Sequence, residues 1–250
     1  MISFCAFTSI ILIYSGDTYV KGGGAKGKSS SPRPTRAQAE PRTNSMRIRS
    51  LINDCASIVE GLAAAIDMND ATILANTLKS IAKKAEESKE LQSGLVKAGI
   101  CPVICSTARA VRNDAQVAET CLIAISLLSR YGEDRSTQSM DNIIVFGESG
   151  VAEAIAGILR DFGENELIIS LACEVICHLN VIEVNRTRFG EASVVELLLK
   201  ALLHFAVTGD NASKTLCPSI VSSLSYATFK HAGNRARLAE AENRINTLIK

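Results

Sequence analysis

Gly22 to Ser29 reads Gly-Gly-Gly-Ala-Lys-Gly-Lys-Ser and fits the phosphate-loop pattern Gly-x-x-x-x-Gly-Lys-Ser. Such a loop binds a nucleotide only when a strand feeds it and a helix follows, so that its amides converge on the phosphates. Ser30, Ser31, Pro32 and Pro34 follow instead, and two early prolines with no apolar face do not make a docked helix. No acidic strand end suited to hold a metal follows later. The match reads as a coincidence of Gly- and Lys-rich text.

Cysteine is the other candidate for chemistry. Of the 8 Cys, Cys101 and Cys105 stand four apart, as do Cys173 and Cys177, and Cys55, Cys121 and Cys217 stand alone in apolar surroundings. There is no Cys-x-x-Cys, and His178, His204 and His231 form no ligand spacing with them. The spacing predicts small buried hydrophobes, held reduced as in the cytoplasm or nucleus. Glu86-Glu87 and Glu133-Asp134 read as solvated charge. No Gly-x-Ser-x-Gly, no His-Glu-x-x-His and no dinucleotide fingerprint occurs. The expectation is a non-enzyme without cofactor, metal or small-molecule substrate.

The elements that would carry such residues are helical. The 250 residues are 47% hydrophobic but only 4% aromatic, with no Trp. A core of Leu, Ile, Val and Ala favours packed helices over a sandwich or barrel. Net charge is +1, from 27 basic and 26 acidic residues, which argues against a body dedicated to nucleic acid. The imbalance lies at the start, where Lys21, Lys26, Lys28, Arg33, Arg36, Arg42, Arg47 and Arg49 face only Asp17 and Glu40.

Residues 1–45 are expected to be a disordered basic leader. Its apolar run, residues 2–14, is too short to span a bilayer. That run has the length of a signal-peptide core but lacks a preceding Lys or Arg, and bulky Ile13 spoils the best cleavage site. From Lys21 to Asn44, Gly, Ser, Pro and positive charge cannot bury enough apolar surface to order the chain. Its functional alternative is a module drawn to nucleic acid or a membrane by the basic tail.

From Met46 onward the polarity is helically periodic. Ile48, Leu51, Ile52, Cys55, Ile58, Val59 and Leu62 form one apolar stripe. Self-similarity follows. Leu95-Val96-Lys97-Ala98-Gly99 matches Phe146-Gly147-Glu148-Ser149-Gly150, then Phe189-Gly190-Glu191-Ala192-Ser193, then Leu238-Ala239-Glu240-Ala241-Glu242, at intervals of 51, 43 and 49 residues. The last two copies are preceded by Asn185-Arg186-Thr187-Arg188 and Asn234-Arg235-Ala236-Arg237, read as N-caps with exposed arginines. Ala75, Cys121, Ala172 and Cys217 each stand seven residues before Ala82, Leu128, Leu179 and Leu224, which keeps both ends on one helix face. Arg130 to Asp141 reads as a loop. Pro218 marks either the start of a helix near Cys217 or a kink.

A short helix ending in a small-residue turn, then two apolar helices, resembles the armadillo repeat family over about residues 46–250. The resemblance implies an all-α, right-handed superhelical solenoid of armadillo-like three-helix repeats: about four, the last incomplete. The final copy stops at Lys250 inside what should be its second helix and reads as part of a longer array, since arrays close with a polar cap. The resemblance also implies a concave groove lined by successive third helices, suited to an extended peptide or helix of another protein. In armadillo proteins that carry nuclear-import cargo, those helices present Asn with Trp one turn earlier. The corresponding positions here are Ile81, Leu127, His178 and Ser223, and Thr77, Ile123, Glu174 and Ser219, so that activity is not expected. Ile123, Leu127, Glu174, His178, Ser219 and Ser223 are the candidate partner contacts of a scaffold or adaptor, with Glu174 and His178 pairing along one helix.

Overall fold

The structure is a computed structural model and describes residues 41–130, 137–209 and 211–248. The apolar run at 2–14 and the phosphate-loop match at 22–29 lie outside the described residues. Twelve helices and no strand make up the described residues. Helix α1 (Pro41–Met68) and α2 (Ala71–Glu87) open the array; α1 begins inside the segment read as leader. Two triplets follow: α3 (Lys89–Lys97), α4 (Ile100–Ala110) and α5 (Ala115–Ser129), then α6 (Thr137–Glu148), α7 (Val151–Asp161) and α8 (Glu166–Leu179). The array goes on with α9 (Glu183–Glu191), α10 (Val194–Thr208) and α11 (Asn211–Thr228), and α12 (Ala232–Leu248) packs behind it on α9, α10 and α11. With α9–α11 the count of triplets is three, flanked by a helix pair before and a single helix after.

Local chemistry sets the boundaries. Asp70, Asp114 and Asn165 each stand before a third helix and accept backbone N–H bonds, Asp70 from Thr72 and Ile73, Asp114 from Val117, Asn165 from Ile168. Each satisfies amides that the helix leaves open. The turn from first to second helix is made by a left-handed residue, Gly99 at φ 89°, Gly150 at φ 79° and Ser193 at φ 66°. The fourth copy puts Glu242 at that place, and α12 runs straight through the expected turn. A left-handed backbone costs a residue with a Cβ roughly 1–2 kcal/mol, and at Glu242 the chain stays helical instead. The loop expected from Arg130 to Asp141 is also shorter, since Asp141 lies inside α6. Helix α11 runs through Pro218 and starts well before Cys217.

Packing makes three parallel rows. Third-type helices α2, α5, α8 and α11 lie side by side, as do second-type helices α4, α7 and α10 and first-type helices α3, α6, α9 and α12. One core runs through all of them, from Cys55 and Leu62 on α1 to Leu238 on α12. Cys55, Cys101, Cys105, Cys121 and Cys173 are buried in it and unpaired, with Cys177 and Cys217 half-buried. Burial pushes the thiols of Cys105 and Cys173 up to about 12, so they have almost no nucleophilic thiolate at neutral pH.

Asn185 and Asn234 are not helix caps. Both are buried inside their helices. The Asn185 side-chain amide donates to the carbonyls of Leu179 and Ile143, and that of Asn234 to Ala227 and Arg186. Each thus ties the end of a third helix to the first helix of the preceding repeat. Asn142 donates to Leu128 O, and Gln92 to Ala85 O, at the equivalent places. Gly147 and Gly190 make room for the two double staples: a Cβ on either would lie 1.9 Å from the Asn185 or Asn234 side-chain oxygen. Arg186 is buried as well and donates to Asn180 O, so of the four arginines read as exposed only Arg235 is fully so, with Arg188 and Arg237 half-buried.

Candidate functional site

The stapled carbonyls, Ala85, Leu128, Leu179 and Ala227, define the true register of the third helices. Burial agrees with it. Leu74, Leu78, Ile81 and Ala85 match Val117, Cys121, Ala124 and Leu128, then Ile168, Ala172, Val175 and Leu179, then Leu216, Ile220, Ser223 and Ala227, every one of them buried. The sequence anchors were therefore right in α5 and α8 and one turn early in α2 and α11. Residues three and four apart share a helix face, so a slip of one turn leaves the apolar pattern almost unchanged.

This corrects two candidate contacts. Ser223 is fully buried and donates to Cys173 O and Ser219 O, with Cys177 Sγ at 3.5 Å. It belongs to the seam between α8 and α11 and cannot meet a partner. Ser219 is half-buried and bonds back to Thr215 O. The positions that align with Ile123 and Glu174 are Ser80 and Ser222; those that align with Leu127 and His178 are Lys84 and Tyr226. All four are exposed, Tyr226 at 48%. Neither row contains Asn or Trp.

Ile123 and Leu127 are half-buried and line a cleft of about 240 Å³ between α2 and α5, together with Lys79, Ala82, Lys83, Glu86 and Thr120. The next step along the row is closed. Ser126 donates to Glu174 at 2.7 Å, and Arg130 lies 3.8 Å from the same carboxylate. Glu174 is thus engaged across the row to α5, and no ion pair to His178 forms along α8. Desolvation holds the His178 imidazole below its ordinary value; Glu174 opposes that shift and Arg130 adds to it. Its Nδ1 is buried without a hydrogen-bond partner, which the neutral ring tolerates better than the charged one.

Among the described residues no group of three His, Cys, Asp or Glu could hold a metal, and no single helix is long and apolar enough to cross a membrane. A second cleft, of about 410 Å³ at the α7–α8 turn, mixes Arg160, Lys200 and His204 with Asp161 and Glu164. Asp161 lies 3.5 Å from Arg112, and Glu164 lies 3.9 Å from His204.

No family model matches this sequence, and no curated protein matches it significantly. Solved structures do match the fold. An engineered protein aligns at a TM-score of 0.57 and 15% identity, over 76% of this chain and 68% of its own. Computationally designed armadillo repeat proteins for modular peptide recognition align at 0.56 and 19% identity, over 75% and 70%. Another designed armadillo repeat protein aligns at 0.56 and 18%, over 82% and 84%. The fold is that of an armadillo-like, all-helical solenoid.

Proposed function

We propose that the protein is a non-enzymatic scaffold or adaptor that binds an extended segment of another protein along its third-helix row. One observation carries this reading. The outward positions of four neighbouring helices, at Ser80, Ile123, Glu174 and Ser222 and at Lys84, Leu127, His178 and Tyr226, are each half-buried or exposed. Solenoids use such surfaces to read extended chains, and one set of similar structures was designed for modular peptide recognition. The unpaired, buried cysteines suit a reducing compartment, the cytoplasm or nucleus.

Selection of a random displayed-peptide library on the full chain tests the reading. Enriched peptides should bind the wild type and lose at least about tenfold in affinity on Leu127→Arg or His178→Asp, the loss expected when a central contact is replaced by an unpaired charge. Enriched peptides that bind both variants as well as the wild type would place the site elsewhere.

A further inference from the structure

We infer that the cleft between α2 and α5 holds an apolar side chain of an acidic extended peptide, with Lys79 and Lys83 meeting carboxylates beside it. The inference rests on the peptide-binding reading above and names the chemistry of its partner.

The floor of the cleft offers hydrocarbon. Ala82, Ile123 and Leu127 supply it, and the Thr120 hydroxyl already donates to the carbonyls of Gln116 and Val117. A volume of about 240 Å³ falls below the ~300–1,000 Å³ of small-molecule sites, and it suits one inserted side chain.

The rim supplies the charge. Lys79 and Lys83 stand one helical turn apart on the same face, both are exposed, and neither has an ion pair among the described residues. Their stems can cover an apolar guest while their ammonium groups stay in water. Glu86, three residues beyond Lys83, is the only acid lining the cleft and leaves the rim net positive. The neighbouring step shows the alternative. There the places of Lys83 and Ile123 are taken by Ser126 and Glu174, which bond to each other. Two cations over an apolar floor, without an ion pair among the described residues, complement a segment that alternates carboxylates with a large apolar residue.

Fluorescence anisotropy on the full chain, at low and high salt, provides the test. The probes are a labelled peptide alternating Leu with Asp, a counterpart with Lys in place of Asp, and one with Ser in place of Leu. The Leu/Asp peptide should bind at least about tenfold tighter than either counterpart, with affinity falling as salt rises. Lys79→Glu/Lys83→Glu should lose about tenfold for it and gain affinity for the Leu/Lys peptide. Lys79→Ala/Lys83→Ala, a change at exposed positions, should weaken binding without unfolding the chain. Equal binding of the Leu/Lys peptide, or affinity unchanged in both lysine variants, overturns the inference. So does tighter binding of a single-stranded oligonucleotide that is indifferent to Ile123→Arg, which would mark a polyanion surface. If no probe binds while library selection still returns peptides dependent on Leu127, the acidic-peptide inference falls and the scaffold reading stands.

Discussion

The step from α2 to α5 and the step from α8 to α11 share one backbone register and treat their polar groups in opposite ways. At the later step, Ser223 is buried against Cys173 O and Cys177, and Asn234 ties two carbonyls through space left by Gly190. At the earlier step, Gln92 ties one carbonyl only, Val96 stands where Gly147 and Gly190 do, and the valley is left open between Lys79, Lys83 and Ile123. Polar groups that satisfy one another hold a stack together and are lost to a partner. Groups left facing water contribute little to stability and remain available for recognition.

That contrast can be broken most directly at the staples. Asn234→Ala leaves buried carbonyls without their donor and should lower stability by about 1–3 kcal/mol in urea unfolding of the whole chain. Gln92→Ala, which removes one part-buried bond, should cost about 0.5–1.5 kcal/mol. Equal costs would erase the distinction between the two steps. Gly190→Ala should resemble Asn234→Ala, because the new methyl group displaces the same side chain. Since the two residues touch, the double variant should cost clearly less than the two single costs together.

Ser223→Ala should cost about 1 kcal/mol, the net worth of a buried hydrogen bond, and should leave peptide affinity at the α2–α5 cleft unchanged. A loss of that affinity would mean that the two steps are coupled.

The equivalent positions Leu127 and His178 sharpen the comparison through pH. Burial favours neutral His178 in the folded chain, so its folded value lies below the ordinary 6.5. As pH falls below that ordinary value the unfolded chain takes up the proton first, and the stability present at higher pH is lost as pH drops through the folded value. His178→Leu, which copies the α5 residue onto α8, should flatten this part of the stability profile. An unchanged slope would assign it to other groups. The smallest effect is expected at Lys79→Ala/Lys83→Ala, within about 0.5 kcal/mol per site, because neither lysine has an ion pair among the described residues.

Much of the fold was legible because its signals are local. The left-handed turns at Gly99, Gly150 and Ser193 sit where the repeated small residue stands in the text, and the buried cysteines follow from apolar periodicity. The site was less legible. The seven-residue spacing located Ile123, Leu127, Glu174 and His178 in their register, but Ser219 and Ser223 came out one turn early. Pro218 and small Ser residues blur the apolar stripe of α11, so Tyr226 and Ser222 went unnoticed. One signal could have corrected α11: Asn234 stands seven residues after Ala227, as Asn185 stands six after Leu179, and its role as a donor to that helix end was hidden by its resemblance to a cap.

The sequence alone determined that these segments are helices, where most of them turn, and that none of their apolar faces can be left exposed, since propensity, turn chemistry and periodicity act over a few neighbouring residues. Only the tertiary structure decided which turn of α2 lies beside which turn of α5, that Gly190 exists to admit Asn234, and that Ser223 faces a neighbour and Tyr226 faces water. Those outcomes depend on atoms from residues dozens of positions apart meeting at van der Waals distance. A helical pattern that repeats almost unchanged every turn holds no record of which of its turns makes the contact.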